Sequence, residues 1–186
     1  MDTVGTQKKI LYIAKSNSTY RNLAMEEYFI DYIERETQQN NSVIALFLWQ
    51  SDNTIVIGKH QNAQRECNLE FVRQNNLKIA RRKTGGGAVF HDSGNLNFSI
   101  IASKNLYNQE NNFLMIIKAL KKLGLNAVLS GRNDILIDNK ASSYASVGQS
   151  RCACIAIKLA LGNNNCKHLL SSFAMLFIFY ISQSLT

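Results

Sequence analysis

At 186 residues, with 46% apolar and 18% charged positions, the chain is one domain, or one and a fragment, large enough to bury a core; a disordered chain is excluded. Its formal charge of +8 favours an anionic partner: a nucleotide, a nucleic acid or an acidic protein surface. Proline is absent, and the four cysteines (Cys67, Cys152, Cys154, Cys166) lack the paired spacing of a zinc site, so they read as free thiols in a reducing compartment.

The polar start, Met1 to Lys9, has no apolar secretory core and carries no arginine before Arg21, so a cytoplasmic location is expected, or a mitochondrial one in a eukaryote. Lys9 to Ala14 predicts a strand. Asn22 is the expected N-cap of a helix running to about Thr37, with Leu23, Glu26, Ile30 and Ile33 at helical spacing. Val43 to Trp49 predicts a buried strand, with Thr54 to Ile57 as its return strand after the turn Ser51-Asp52-Asn53. Asn68 is expected to cap a short helix carrying Leu69, Phe71 and Val72, and Lys78 to Arg82 reads as a strand.

There follows the run Arg81-Arg82-Lys83-Thr84-Gly85-Gly86-Gly87-Ala88-Val89-Phe90-His91-Asp92. Three glycines let main-chain amides approach a ligand closely, and the adjoining cations suit phosphate or carboxylate. The spacing is neither that of a P-loop nor that of a dinucleotide fingerprint, and strand rather than helix follows. The pattern reads as a cradle for a charged small molecule, with a glycine-rich hairpin turn as the plainer alternative.

Beyond it, Ala88 to His91 and Leu96 to Ala102 predict two strands joined at Asp92-Ser93-Gly94. Asn112 is the expected cap of an amphipathic helix, Leu114 to Leu123, closed by Gly124. Ala127 to Leu129 and Asp134 to Ile137 are short strands. Hairpins interspersed with helices, without regular βαβ alternation, indicate an α+β fold with a mixed or antiparallel sheet. No acidic residue occurs from Ala141 to Thr186, and the last apolar block, Leu169 to Ile181, is shorter than the roughly 20 residues of a membrane span. No membrane association is expected.

Four motifs in order resemble those of lipoate-protein ligases, in the biotin/lipoate ligase superfamily: Arg21 to Glu27 (RNLAMEE), Ile55 to Asn62 (IVIGKHQN), Arg81 to Asp92, and Gly131-Arg132-Asn133-Asp134. The resemblance runs from about Leu11 to Lys140 and implies a class II synthetase-like sheet with flanking helices, C-terminally incomplete. It divides the chain into a partial ligase-like domain, residues 1–145, and a divergent segment, residues 146–186. The implied activity joins lipoate to ATP as lipoyl-AMP, then moves the lipoyl group to a lysine of a carrier domain, in a 2-oxoacid dehydrogenase E2 subunit or the glycine-cleavage H protein.

By this resemblance Arg82, Thr84, Gly85, Gly86, Gly87, Ala88, Val89, Phe90 and Lys140 hold ATP or lipoyl-AMP. Lys140 is the catalytic cation, and Asn133 and Asp134 lie near Mg²⁺. Val56, Ile57, Val89 and Phe98 are candidate walls for the lipoyl tail. His91 reads as a structural hydrogen-bonding residue, since adenylation needs no protein base; Gln61 and Asn62 either orient the loop or cap a turn. Ser143 stands where the family has glycine, and family sequence is not evident past Ala145. Two alternatives follow: a non-catalytic fragment that binds lipoyl-adenylate, or an octanoyl- or lipoyltransferase without ATP activation. A nucleic-acid module rests on charge alone and is not expected.

Overall fold

The computed structural model describes residues 7–122, 124–131, 134–137, 140–141, 143–148 and 153–160. The first strand, β1 (Gln7–Ile13), leads through helix α1 (Thr19–Gln38) to β2 (Ser42–Trp49), which pairs parallel with β1. The later strands β6 (Asn95–Ala102), β11 (Ala153–Ala160) and β10 (Ser143–Gly148) continue this sheet antiparallel, in the order β1-β2-β6-β11-β10. A second sheet has the order β4-β3-β5, from β3 (Thr54–Ile57), β4 (Lys78–Arg81) and β5 (Val89–His91). A third joins β7 (Ala127–Ser130), β8 (Asp134–Ile137) and β9 (Lys140–Ala141) as antiparallel neighbours. The expected α+β fold with mixed sheets is the one observed.

The alternation of β2 sorts its side chains to two faces. Ile44, Leu46 and Leu48 join Leu96, Phe98, Ile100 and Ala102 of β6 against Phe113, Ile116 and Leu120 of helix α4 (Gln109–Lys122). Val43, Ala45, Phe47 and Trp49 meet Phe29 and Ile33 of α1 on the other face. The central sheet is thus covered by one helix on each side. Phe98 belongs to the α4 side, opposite Trp49 and α1.

Three helices end on a residue in the left-handed region, each with the bonds of a Schellman turn. Asn40 (φ 62) closes α1, Gly124 (φ 81) follows α4, and Asn76 (φ 50) follows α3 (Leu69–Gln74). In each the next N–H reaches back to a carbonyl five residues earlier: Asn41 to Glu36, Leu77 to Val72, Leu125 to Leu120. Asn68 caps α3 as expected, its Oδ1 accepting from the Phe71 N–H.

Four expectations change. The N-cap of α1 is Ser18, and Asn22 is buried within the first turns, its Nδ2 donating to Ser16 O (3.0 Å) and Gln50 O (2.9 Å). Likewise α4 begins at Gln109, with Asn108 Oδ1 accepting from the Asn111 N–H, and Asn112 is buried inside the helix. Thr54–Ile57 is no return strand for β2; it is the centre of the second sheet. The strands on either side of Asp92-Ser93-Gly94, although joined by that turn, enter different sheets. Helix α2 (Ala63–Glu66), capped by Asn62 Oδ1 on the Gln64 N–H, was not anticipated. The Leu169 to Ile181 block lies outside the described residues, and no described helix is long and apolar enough to cross a membrane.

Phe47 is fully buried and touches the rings of Tyr12, Phe29 and Trp49. Phe47→Ala is expected to cost about 3–5 kcal/mol. The same truncation at exposed Phe71 should cost no more than about 0.5 kcal/mol, both read from urea unfolding.

Candidate functional site

Strand β3 is the middle of its sheet, with β4 parallel and β5 antiparallel to it. A chain leaving β4 therefore emerges at the end where β3 finishes, and must pass over that end to begin β5. Residues 82–88 make this crossing, about 10 Å between the outer strands of three. The bend consequently rests on Gly58, the first residue after β3. A Cβ on Gly58 would overlap the Gly86 carbonyl oxygen, so backbone lies directly on backbone. Arg82 N–H donates to Ile57 O (3.0 Å) and Lys59 N–H to Thr84 O (2.9 Å), stitching the two segments together. Gln61 Oε1 accepts from the Gly58 N–H (2.7 Å), so this glutamine holds the underlying turn.

The paired arginines serve opposite sides of the contact. Arg81 Nη1 donates to the carbonyls of Gly58 (3.0 Å), Lys59 (3.2 Å) and Gln61 (2.6 Å), gathering the turn after β3. Arg82 faces its own loop: Nε and Nη2 reach Gly85 O (3.2 and 2.8 Å), Nη2 also Gly87 O (2.8 Å), and Nη1 reaches Val56 O (3.2 Å). Burial lowers the Arg82 pKa and the nearby Glu26 charge raises it; a guanidinium stays protonated in either case. Lys83, mostly exposed, pairs with Glu27 of α1.

A polar group lies on the α1 face of the central sheet near this loop. The Ser99 hydroxyl donates to Glu26 Oε1, and Trp49 Nε1 donates to Ser99 Oγ (3.3 Å). The His91 ring stands 5.6 Å from that of Trp49, with Nδ1 3.5 Å from Ser51 Oγ. His91 is buried and engaged in this packing, in keeping with a structural role. Asn97, two residues before Ser99 on the same face, is buried, and its Nδ2 has no acceptor among the described residues. Burial pushes the Glu26 carboxyl up to about 7 and Glu27 adds to the rise; the Ser99 and Trp49 hydrogen bonds and the Arg82 charge oppose it. The group can thus hold or release a proton near neutrality.

Of the residues anticipated for the ligand, Gly85, Gly86 and Gly87 are exposed at the surface of the bend and Phe90 is exposed beside it. Arg82, Thr84, Ala88 and Val89 are half-buried. Val56 and Ile57 are fully enclosed under the loop. Asp134 begins β8 opposite Ser130, and Lys140 begins β9 opposite Ile137, which places both by backbone register in the third sheet. Asn133 lies outside the described residues. Cys67 is a half-buried free thiol whose pKa burial raises, as a packing residue requires. Sequence reasoning missed Gly58, Glu26, Trp49 and Ser99 as parts of one site, and took Arg81 for a ligand-facing cation where it holds the turn after β3. The sequence-level signal was that Glu26, Gly58 and Arg81 lie inside the resembling motifs.

Glu26 generates a pH dependence with a definite sign. Its folded pKa lies above the unfolded value of 4.5, so the stability it contributes at low pH is lost as pH rises through about 7. The slope from this single group is at most about 1.4 kcal/mol per pH unit. Glu26→Gln is expected to flatten the wild-type decline and gain relative stability above pH 7. Urea unfolding near the two ends of that window checks this; identical slopes in the two proteins would refute the raised carboxyl.

The sequence profile described as Lipoyl protein ligase A/B catalytic domain matches residues 18–169, a stretch that takes in β10 and β11. The chain is 42% identical over 131 residues to lipoate-protein ligase A of Bdellovibrio bacteriovorus, covering 70% of this chain and 37% of that protein. It is 41% identical over 135 residues to the mitochondrial lipoyl amidotransferase LIPT1 of Mus musculus, covering 70% of this chain and 35% of that one. The chain thus spans little more than a third of the length of these curated relatives. Among solved structures, P. falciparum LipL1 in complex with lipoate superposes with a TM-score of 0.83 at 26% identity, covering 96% of this chain and 62% of the other. Lipoate-protein ligase A bound with ATP shares the fold at TM-score 0.68 and 24% identity, covering 88% and 70%. With the profile covering most of its length, the chain belongs to the lipoyl protein ligase A/B catalytic domain family.

Proposed function

We propose that this chain activates lipoate and transfers it to protein. The lipoate carboxylate attacks the α-phosphorus of ATP and pyrophosphate leaves. The lysine amine of a lipoyl carrier domain then attacks the carbonyl of lipoyl-AMP, forming an amide and releasing AMP. The observation that carries the reading is the exposed triple-glycine bend resting on Gly58, with the Arg82 cation directly behind it. Neither step needs a protein nucleophile; both need alignment and compensation of negative charge, which this bend is built to give. The lipoate held by the P. falciparum relative supports lipoate as the acid.

In this reading Thr84, Gly85, Gly86, Gly87, Ala88, Val89 and Phe90 run along the acyl-phosphate. Lys140 stabilises the charge that develops on the phosphate and, in the second step, on the carbonyl oxygen. Mg²⁺ would be held by ATP oxygens with Asp134 and Asn133, compensating triphosphate charge. The carriers would be lipoyl domains of dehydrogenase E2 subunits or the glycine-cleavage H protein. A second reading, transfer only and with no ATP step, draws support from the 41% identity to a lipoyl amidotransferase.

One assay separates these readings: protein, lipoate, Mg-ATP and a lipoyl carrier domain, following pyrophosphate and carrier mass. Both products are expected, and Lys140→Ala should reduce both by about a hundredfold or more. Acylation only from preformed lipoyl-AMP indicates the transfer-only enzyme. Binding of lipoyl-AMP with neither product indicates a non-catalytic fragment.

A further inference from the structure

We infer that Arg82 is a positioning residue: its guanidinium turns three successive main-chain N–H groups, those of Gly86, Gly87 and Ala88, outward to form the anion site of the bend. The proposed function enters only in naming the anion as an acyl phosphate; the geometry stands apart from it.

The described peptide bonds are all trans, and in a trans peptide the carbonyl of one residue and the N–H of the next point in opposite directions. Gly85 O and Gly87 O both accept from Arg82, so the N–H groups of Gly86 and Ala88 point away from the guanidinium. The Gly86 carbonyl is turned down onto Gly58, so the Gly87 N–H points away from Gly58. These two supports are neighbours: Arg82 Nη2 lies 3.4 Å from where a Gly58 Cβ would stand. All three carbonyls therefore face one side, and all three N–H groups face the other. Gly86 and Gly87 are exposed and Ala88 is half-buried, and among the described residues none of the three N–H groups donates to a protein acceptor. Successive N–H groups converging in this way form a nest, a concavity that binds anions.

The glycines divide the work. Gly86 has φ +98, a conformation side chains rarely adopt, and a Cβ there would stand 2.8 Å from Arg82 Nη2, so a side chain would be strained and would displace the guanidinium. Cβ atoms at Gly85 or Gly87 would meet nothing within 4 Å, so these two leave open the space that a ligand needs. Arg82 is suited to the role because its fork reaches the Gly85, Gly87 and Val56 carbonyls at once. A lysine ammonium cannot span them in the same way. Carbonyls accept the hydrogen bonds without cancelling the charge, so a full cation remains behind the nest.

The test follows glycine and alanine amide resonances of the full chain on titration with inorganic phosphate, then with a lipoyl-sulfamoyl adenosine as a stable stand-in for the mixed anhydride. The Gly86, Gly87 and Ala88 resonances are expected to move with both. Arg82→Gln should weaken phosphate binding about tenfold or more. Gly58→Ala, buried beneath the bend, should weaken it to the same degree. Loss in Arg82→Gln without loss in a folded Gly58→Ala would mean that the guanidinium itself grips the anion, and would overturn the inference. So would anion binding that leaves the three amides unmoved. If Gly58→Ala does not fold, the unliganded spectrum of Arg82→Lys decides. Displaced Gly86 and Ala88 amides support the latch, and unchanged ones refute it. Response to phosphate but not to the sulfamoyl adenosine would keep the nest and remove the lipoyl-adenylate reading.

Discussion

The crossing of one chain segment over the end of a central strand governs the structure of this site. Because β4 and β5 flank β3 and enter and leave at the same end, residues 82–88 lie on Gly58 at backbone-to-backbone distance. Such a contact brings carbonyl dipoles close together with no side chain between them, and it needs donors to hold it. The two arginines supply them. Arg81 collects the carbonyls below the contact and Arg82 those above it, so two adjacent residues fix both layers. A single lysine pair at these positions would bring comparable charge without the planar fork that reaches several carbonyls together.

The motifs distant in sequence follow from the same geometry. Asn22 of α1 ties the residues before the helix to the end of β2 through Ser16 O and Gln50 O. One turn later Glu26 accepts from Ser99 of the central sheet, and Glu27 pairs with Lys83 in the bend. Helix α1 is thereby a brace between the central sheet and the bend: Asn22 and Glu26, four apart, share the face on the central sheet, and Glu27, one residue on, is turned aside to reach Lys83.

How much was legible in the sequence depended on the range of the interaction. The Gly124 stop of α4 and the Asn68 cap of α3 were readable because caps are decided within a few residues. Asn22 and Asn112 satisfy the same local rule, yet tertiary packing buries both side chains inside helices. The extents of β2, β3 and β6 could be read, but the allocation of β3 and β5 to a separate sheet could not, since it is fixed by pairing across more than twenty residues. Phe98 illustrates the same limit: alternation assigns it to a face, and only the packed helix α4 reveals which face that is. Family likeness was not legible past Ala145, yet the family profile runs to residue 169 and β11 pairs with β6 at eight positions.

The glycine bend was the most legible part, although its chemistry was only half readable. Three cations beside three glycines read as an anion site, the reading proposed above, whichever groups touch the anion. The letters do not say whether guanidinium groups reach forward to the ligand or backward to carbonyls. The peptide unit decides this, because each carbonyl held from behind commits the following N–H to the front. A charged side chain that binds its own loop thus converts a flexible, glycine-rich segment into a preorganised row of donors, lowering the ordering cost that a free triple-glycine segment would incur on binding. Charge placed behind the donors still adds to the potential in front of them. It also leaves the front of the bend clear, as the proposed acyl transfer requires.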